Sequence, residues 1–337
     1  MNVSENISLK SYNTFRIDAS ARYFCAFKSL EELKEVLSEN RFKDLPKLII
    51  GGGSNLLLIK NFEGLVLKNG IKGKTLIGED ENHIYVKAGG AEVWHEFVMY
   101  CIKQNYAGIE NMSLIPGNVG AGPLQNIGAY GVELKDVFYE LEALHLKELY
   151  VKTFTNAECK FGYRESIFKR EAKGEFIITS VTFRLNKKPT FNTSYGAIEK
   201  ELELMGVKER SISAISEAVI RIRTSKLPDP EKLGNAGSFF KNPEIPLEQF
   251  LYLKSQYPTI VAFPQNEIVK LAAGWLIEQC GWKGKRVGDA GVHKDQALVL
   301  VNYGNATGKE IYDLSSQVIN SVKEKFGVIL EREVNIV

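Results

Sequence analysis

Two glycine-rich segments carry the residue types that best suit a phosphorylated or planar ligand. GGGSN (51–55) directly follows the apolar run LPKLII (45–50), and IPGNVGAGPLQNIGAYG (115–131) contains five glycines and two prolines. Glycine-rich backbone exposes its N–H groups and lets a ligand approach closely, which phosphates and flat rings both require. GGGSN could equally form a plain tight turn. The segment 115–131 could be a long structural loop, although long glycine loops in compact domains are usually functional or disordered. Its apolar residues Ile115, Val119, Leu124 and Ile127 argue against disorder.

Neither of the two most familiar nucleotide-binding motifs is complete in this sequence. A dinucleotide fingerprint G-x-G-x-x-G would need a third glycine at position 56, where the chain has Leu56. The tripeptide GKT (73–75) would belong to a P-loop only with a glycine at position 68, where the chain has Lys68. If these segments bind a nucleotide, they do so through another kind of motif.

The helices and strands that must position these segments follow from hydrophobic periodicity. Ser29 and Glu32 fit a capping box at the start of a helix. KLPDPEKLGNAG (226–237) has two prolines and two glycines and indicates a linker or domain boundary. The predicted elements are, in order, helix 29–39, strand 45–50, strand 84–89, helix 91–105, strand 176–185, helix 266–280, strand 297–302, helix 308–326 and a final strand at 328–337. This mixture indicates an α+β fold.

Composition and charge limit the class of protein. The chain has 337 residues, of which 44% are hydrophobic and 25% charged; this is typical of a globular protein with two or three domains. A net charge of +2 argues against nucleic-acid binding. The four cysteines form no CxxC and the four histidines no HxxxH, so no metal site is predicted. Without a signal peptide or a membrane-length apolar run, we expect a cytoplasmic protein with reduced, buried or half-buried thiols.

Nine segments distributed over nearly the whole chain occur in a characteristic order. They are NTF (13–15), GGGSNLLL (51–58), IPGNVGAGPLQNIGAYG (115–131), CKFGYRESIFK (159–169), RTSKLPDP (223–230), GNAGSFFKNP (234–243), AGWLIEQCGWKG (273–284), HKDQALVLVN (293–302) and LEREV (330–334). Together they closely resemble the UDP-N-acetylenolpyruvoylglucosamine reductase family. TSYGAI (193–198) resembles the longer form of that family, in which a tyrosine loop closes over the substrate. Arg332 departs from the family pattern, which commonly has a proline there.

The resemblance implies a three-domain flavoenzyme. A two-domain FAD-binding unit of the vanillyl-alcohol-oxidase type would comprise 1–69 with 328–337 and then 70–226, and 227–327 would form the α+β domain that binds the UDP-sugar. GGGSN would cradle the diphosphate of non-covalently bound FAD, and 115–131 would line the flavin ring and its ribityl chain. The implied FAD-binding residues are Gly51, Gly52, Gly53, Ser54, Asn55, Pro116, Gly117, Gly120, Ala121, Asn126, Gly128, Ala129, Tyr130 and Arg223.

The implied reaction adds hydride and a proton across the double bond of UDP-N-acetylglucosamine enolpyruvate, giving UDP-N-acetylmuramate for peptidoglycan. Flavin reduced by NADPH would deliver hydride to the β-carbon, and Ser238 would protonate the α-carbon. A weak acid suffices because the enolate carbon is strongly basic. Arg164 would pair with the substrate carboxylate. Glu333 would orient or polarise the enolpyruvyl group, either protonated or through hydrogen bonds.

Without the resemblance, each of these three residues has an ordinary interpretation. Arg164 would be a surface ion-pair partner, Ser238 a cap in a flexible turn and Glu333 a solvated carboxylate on the polar face of the last predicted strand. The resemblance also implies a set of substrate-binding residues, namely Tyr163, Tyr195, Lys226, Asn242 and Gln296. Lys241 is a second candidate for the diphosphate, less well matched than Lys226.

The predicted partners are small molecules. No separate NADPH motif is present, which fits a ping-pong scheme in one shared pocket. We expect a monomer that binds neither nucleic acid nor membrane. Two rival functions are an FAD-dependent oxidase with the same cofactor fold and a non-catalytic nucleotide-sugar-binding protein. Peroxide release without NADPH consumption would indicate the oxidase, and a colourless protein that binds no FAD would indicate the binding protein.

Overall fold

The first helix begins and the last helix ends at a residue whose chemistry suits that helix end, in a computed structural model that describes residues 2–194, 196–265 and 267–337. The Ser29 side chain accepts a hydrogen bond from the Glu32 N–H at the start of the first helix. Gly327, with φ +65°, ends the last one in the left-handed conformation. The helices are α1 (Leu30–Ser38), α2 (Trp94–Lys103), α3 (Asn156–Cys159), α4 (Gly196–Leu204), α5 (Ile212–Lys226), α6 (Leu247–Gln256), α7 (Ala273–Gln279) and α8 (Gly308–Phe326).

The strands are short, and most pair with antiparallel neighbours. They are β1 (Ser4–Ser8), β2 (Ser20–Phe27), β3 (Lys47–Ile50), β4 (Leu56–Leu57), β5 (Phe62–Asn69), β6 (Lys74–Glu79), β7 (His83–Gly89), β8 (Gly128–Ala129), β9 (Val132–Glu133), β10 (Phe138–His145), β11 (Val151–Thr155), β12 (Phe176–Asn186), β13 (Gly234–Ser238), β14 (Glu244–Pro246), β15 (Ala262–Gln265), β16 (Ile268–Leu271), β17 (Arg286–Val287), β18 (Ala290–Val292), β19 (Val299–Asn302) and β20 (Asn335–Ile336).

The first of two compact units comprises Met1–Ile7, Ala21–Gly52 and Glu63–Ser225. It contains a four-stranded sheet in the order β1-β2-β5-β3, with β3 parallel to β5, and a five-stranded sheet in the order β11-β10-β12-β7-β6. On the second sheet, the buried face of α2 packs its aromatic rings against β12: Phe97 lies 4.8 Å and Trp94 5.8 Å from the ring centroid of Phe183. This core fixes the start of α2 and the segment that follows it.

The second unit comprises Ser8–Ser20, Gly53–Phe62 and Lys226–Val337. Its larger sheet runs β13-β19-β18-β17, a three-stranded sheet runs β14-β16-β15, and β20 pairs in parallel with β4. The apolar face of α8 is buried, and the helix contacts β18 and β19. Arg332 ties the last segment to this helix, because its guanidinium donates to the hydroxyls of Ser315 (2.8 Å) and Ser316 (2.7 Å).

Most predicted elements are present, and two predictions need correction. The predicted helix 266–280 is wrong over its first half, where β16 forms and α7 begins only at Ala273. In the final segment, the apolar Val328, Leu330 and Val334 are at most 4% exposed, and Ile336 is half-buried. However, only Asn335–Ile336 is paired as a strand. The two units also divide the chain differently from the three predicted domains, whose boundaries remain a prediction.

Candidate active site

The two glycine segments meet at a glycine-lined surface within the first unit. A Cβ added at Gly51 would lie 3.0 Å from Asn118 Oδ1, and one added at Gly52 would lie 3.1 Å from that oxygen and 3.2 Å from Gly117 Cα. The loop after β3 and the segment after α2 therefore approach as closely as glycine allows. Lys68 donates to the Gly51 carbonyl and brings a cation to the same place. Burial lowers the pKa of that ammonium.

The segment 115–131 is anchored to α2 and to the end of β7. Trp94 N–H donates to Gly117 O (2.9 Å), and Gly120 N–H donates to Gly90 O (2.9 Å). A Cβ at Gly120 would lie 3.0 Å from Gly90 Cα, so this glycine permits protein segments to pack closely together. Pro116 and Ala121 are exposed beside these anchored positions.

A short hairpin closes the same segment. Gly128–Ala129 pairs with Val132–Glu133, and the two residues of the connecting turn, Tyr130 (φ +51°) and Gly131 (φ +80°), are both left-handed. This is the conformation that a two-residue hairpin turn requires, and it explains the glycine at position 131. The hairpin places Tyr130 and the Gly128 carbonyl at fixed points.

Arg164 contacts this hairpin directly. Its Nη2 donates to Gly128 O (2.8 Å) and its Nη1 to Asn126 O (3.5 Å). The Asn126 side chain is fully buried, and its amide donates to Gly162 O (3.0 Å). The Tyr163 ring lies 5.5 Å from the Arg164 Cζ atom. The predicted carboxylate-binding residue is therefore held by the loop that is predicted to line the flavin.

Arg223 brings a second guanidinium to this cluster. Its Nε donates to Leu114 O (3.2 Å), just before the glycine loop. Burial lowers the pKa of Arg223, while the neighbouring Tyr130 phenol raises it and Arg164 lowers it further. Two arginines that donate to carbonyls at or just before the glycine loop make this part of the unit strongly attractive to anionic groups.

In the second unit, the structure brings Ser238 and Glu333 onto neighbouring segments. Ser238 pairs with Val299 across a bulge, and it follows Gly237 (φ +69°). Glu333 N–H donates to Phe239 O (2.8 Å), which places the segment of Glu333 beside the residue that follows Ser238. The Ser238 hydroxyl is half-buried and makes no side-chain hydrogen bond within the described part of the chain.

Gly53, Ser54 and Asn55 belong to this second unit, so the unit boundary runs through GGGSN. Gly53 O accepts from Thr14 N–H (3.1 Å), and Ser54 is half-buried. The Asn55 amide donates to Glu333 O (3.2 Å). One predicted cofactor residue thus holds the main chain of a predicted catalytic residue.

The predicted substrate residues differ in how they are placed. The Asn242 Oδ1 accepts from Ala273 N–H (3.0 Å) and caps α7, and the Gln296 Oε1 accepts from Leu298 N–H (3.4 Å). Lys226 is exposed at the end of α5. Lys241 forms an ion pair with Glu331 (2.6 Å). Tyr195 lies outside the described residues.

The sequence analysis did not single out two residues of the first-unit cluster. Asn118 donates to Ala91 O (2.7 Å) while its Oδ1 faces Gly51 and Gly52, and His95 accepts from Leu114 N–H (3.0 Å). Asn118 had a local signal, because it is a polar side chain between Gly117 and Val119. His95 had none, because a partner 19 residues away is invisible to periodicity.

Residues 2–194, 196–265 and 267–337 contain no group of three or more His, Cys, Asp or Glu side chains that could hold a metal ion. Within those same ranges, each helix is too short or too polar to cross a membrane.

Two known domains match the sequence. The profile described as "FAD binding domain" matches residues 21–148, and "UDP-N-acetylenolpyruvoylglucosamine reductase, C-terminal domain" matches 229–337. The first range contains every predicted FAD-binding residue except Arg223, and the second contains Ser238 and Glu333. The glycine-lined surface and the paired guanidinium groups fit a diphosphate-containing cofactor. The protein is thus a flavoprotein with an FAD-binding domain and a distinct C-terminal domain, which confirms the predicted fold class and the FAD cofactor.

Full-length relatives narrow this class. The chain is 53% identical to UDP-N-acetylenolpyruvoylglucosamine reductase of Flavobacterium johnsoniae and 53% identical to that of Amoebophilus asiaticus, in each case over 100% of both proteins. The crystal structure of UDP-N-acetylenolpyruvylglucosamine reductase from Thermus caldophilus has the same fold, with a TM-score of 0.69 and 24% identity over 100% of this chain and 99% of that one. The chain belongs to the UDP-N-acetylenolpyruvoylglucosamine reductase family, as the sequence motifs predicted.

Proposed function

We propose that the protein reduces UDP-N-acetylglucosamine enolpyruvate to UDP-N-acetylmuramate, with NADPH as the hydride donor, in the synthesis of peptidoglycan precursors. The observation that carries this proposal is the identity of 53% with reductases of that name over the whole chain. FAD, when bound and reduced by NADPH, would supply the hydride for the enolpyruvyl β-carbon. The residues of this chain have three tasks: to hold the substrate, to stabilise the negative charge that develops on it and to protonate its α-carbon.

Arg164 stabilises the developing charge. Hydride addition at the β-carbon moves negative charge into the substrate carboxylate, and a guanidinium pairs with a carboxylate while staying charged at any working pH. The hydrogen bonds of Arg164 to Gly128 O and Asn126 O hold the side chain before the substrate arrives. A charge held in place in advance lowers the cost of reorganisation during the reaction.

Ser238 donates the proton to the α-carbon. Its hydroxyl has no competing side-chain hydrogen bond within the described residues, so it can turn toward a substrate atom. The bulge between Asn235 and Ser238 interrupts the ladder with β19 just before Ser238, which pairs with Val299. A positioned general acid contributes roughly 10²–10⁴-fold to a rate.

Glu333 orients the enolpyruvyl group through hydrogen bonds. Its main chain is held on both sides, by Phe239 O (2.8 Å) and by the Asn55 amide (3.2 Å). A side chain on such a fixed backbone can define the direction of a bound group. Because Asn55 is also a predicted FAD-binding residue, changes at Glu333 and at the cofactor are expected to be coupled.

The nucleotide end of the substrate is held by Tyr163, Tyr195, Lys226, Asn242 and Gln296. Asn242 and Gln296 use only their carbonyl oxygens in the contacts described above, so their N–H₂ groups can donate to uridine or phosphate oxygens. Lys226 supplies an exposed positive charge for the diphosphate. We further propose that the enzyme works as a cytoplasmic monomer.

A two-step colour experiment tests this function. The purified protein is expected to be yellow, to bleach when NADPH is added without oxygen, and to regain its colour when the enolpyruvyl substrate is added. A protein that bleaches but is recoloured by oxygen alone, with peroxide release, would be an oxidase instead. A colourless protein that takes up no added FAD would contradict any flavoenzyme function.

A further inference from the structure

The segment just before the glycine loop is held between two helices of the first unit. Leu114 N–H donates to His95 Nδ1 on α2 (3.0 Å), and Leu114 O accepts from Arg223 Nε on α5 (3.2 Å). Both polar groups of one residue are thus bound by side chains from opposite directions in the sequence. Arg223 is one of the predicted FAD-binding residues, whereas His95 has no role in the proposed function.

Other side chains of the same two helices lie beside this contact. Ser216 and Arg223 lie seven positions apart on α5 and therefore share a face, and the Ser216 hydroxyl lies 2.7 Å from that of Ser113. His95 and Met99 lie four positions apart on α2, and the Met99 sulfur lies 4.0 Å from the Ser216 hydroxyl. The two helices therefore hold residues 113 and 114 through matching faces.

The backbone of Leu114 explains why such a holding contact is needed. Its φ is +58°, in the left-handed region that a side chain with a Cβ rarely adopts. A residue stays in this conformation only when its surroundings impose it. The next three residues, 115–117, lead into the contact between Gly117 and Gly52. Releasing Leu114 would therefore release the start of the loop that binds FAD.

The hydrogen bond also fixes the protonation of His95. Since Nδ1 accepts from an amide, the ring must be neutral with its proton on Nε2. Two charged groups act on this imidazole, Arg223 from α5 and Glu96 on its own helix. Burial, and then the Arg223 charge, lower the pKa of His95, which keeps the acceptor available near neutral pH. Protonation would turn Nδ1–H toward Leu114 N–H and break the contact.

We propose that His95 is a positioning residue for FAD: its neutral imidazole, together with Arg223, holds the Leu114 peptide and thereby the start of the cofactor loop, so that FAD affinity falls when the imidazole is protonated. This inference rests on the FAD site of the proposed function. It concerns binding of the cofactor and is independent of which substrate the enzyme reduces.

The test measures FAD affinity from about pH 5 to 8 with the full chain, by equilibrium dialysis and the fluorescence of released FAD. Two variants separate hydrogen bonding from titration. His95→Asn keeps an acceptor near the Nδ1 position but cannot be protonated, and His95→Leu removes the acceptor. His83→Leu is the control, because His83 is a half-buried histidine whose ring nitrogen contacts Asp80 at a turn.

The wild type and His83→Leu should bind FAD roughly tenfold more weakly at the acid end than at neutral pH, the effect of one lost hydrogen bond. His95→Leu should show that weakening already at neutral pH. His95→Asn should keep neutral-pH affinity and lose the acid weakening. An identical pH profile for His95→Asn and the wild type would overturn the inference, even if His95→Leu failed to fold. Failure of the wild type to bind FAD at any pH would overturn the proposed function as well.

Discussion

Arg164 carries its guanidinium on a backbone in the left-handed region, with φ +53°. Such a conformation costs about 1–3 kcal/mol for a residue with a Cβ, so neighbouring contacts must maintain it. The main chains of Gly162 and Glu165 exchange two hydrogen bonds of 3.0 and 3.2 Å around it, and the side chain itself holds Gly128 O. These contacts stabilise the backbone conformation and also fix the direction of the guanidinium.

Arg164→Lys should slow the substrate half-reaction roughly tenfold, because a point charge replaces a fork that binds a carboxylate with two hydrogen bonds. The measurement is the rate at which substrate restores the absorbance of the NADPH-reduced enzyme. Arg170→Lys is the matched control, since Arg170 is exposed and pairs with Glu165 (3.1 Å). Equal rates for Arg164→Lys and the wild type would remove Arg164 from the site.

Ser238→Ala should leave reduction by NADPH nearly unchanged and slow the substrate half-reaction by roughly 10²–10⁴-fold, because only that step consumes the proton. Stopped-flow absorbance measures the two half-reactions separately. Ser255→Ala, at an exposed serine of the same unit whose hydroxyl donates to Tyr252 O, is the control. A defect confined to NADPH reduction would show that Ser238 positions NADPH and does not protonate the substrate.

Among the elements, α8 begins at a complete capping box. The Thr307 hydroxyl accepts from Glu310 N–H (3.2 Å), and the Glu310 carboxylate accepts from Thr307 N–H (2.7 Å). Hydrogen bonds donated to the Glu310 carboxylate, first by Thr307 N–H and then by the Thr307 hydroxyl (2.8 Å), lower the pKa of Glu310. A lowered pKa means that this contribution to stability is complete near neutral pH and is lost as the pH falls through the folded-state pKa.

Thr307→Ala should lower the free energy of unfolding by about 1 kcal/mol, the usual cost of removing such a cap. Urea unfolding at neutral pH, followed by circular dichroism, measures the change. Thr224→Ala is the control: Thr224 is exposed inside α5, where alanine favours the helix, so that variant should be no less stable than the wild type. The difference between Thr307→Ala and the wild type should shrink on acidification.

Two predicted helices show which helix ends can be predicted from the local sequence. The helix predicted at 308–326 is present over those same residues. Each of its caps, Thr307 and Gly327, directly neighbours the helix end that it caps, so the local sequence specifies both ends. The helix predicted at 266–280 begins only at Ala273, whose N–H is capped by Asn242, 31 residues earlier. Before it, residues 268–271 pair with β14 and β15. An end defined by a distant residue leaves no local signal.

The candidate site shows the same limit. The sequence motifs named Arg164, Ser238 and Glu333, and the structure places each on a backbone fixed by main-chain hydrogen bonds. The contacts of His95 with Leu114 and of Asn118 with Gly51 and Gly52 join distant positions. Periodicity describes neighbours on one element, so it cannot specify such pairs.

For the molecule as a whole, burial should make the thiols inert. Cys25, Cys101 and Cys159 have no exposed surface, and Cys280 is half-buried. Burial raises the pKa of Cys159 to about 12 and also raises the pKa of Cys101, Cys25 and Cys280. Because the thiolate is the reactive form, little of it exists near neutral pH.

A thiol-specific disulfide reagent should therefore label at most Cys280 in the native protein near pH 8, and all four cysteines after denaturation. Absorbance counts the reacting thiols, and peptide mapping identifies them. Cys280→Ala should abolish the native reaction. Rapid labelling of Cys101 or Cys159 without denaturant would show that the first unit opens far more readily than its packing indicates.

The order of the segments along the chain has a consequence for synthesis. Residues 8–20 and 53–62 belong to the second unit, and within it Thr14 O and Phe15 O accept hydrogen bonds from Asn235 and Asn302. On the ribosome, these early segments emerge on the order of 10 s before those partners, at about 5–20 residues per second. During that time, the early segments of the nascent chain lack these hydrogen-bond partners. The second unit can close only when translation is nearly finished, and a fragment that begins at residue 226 lacks strands and loops that its own core requires.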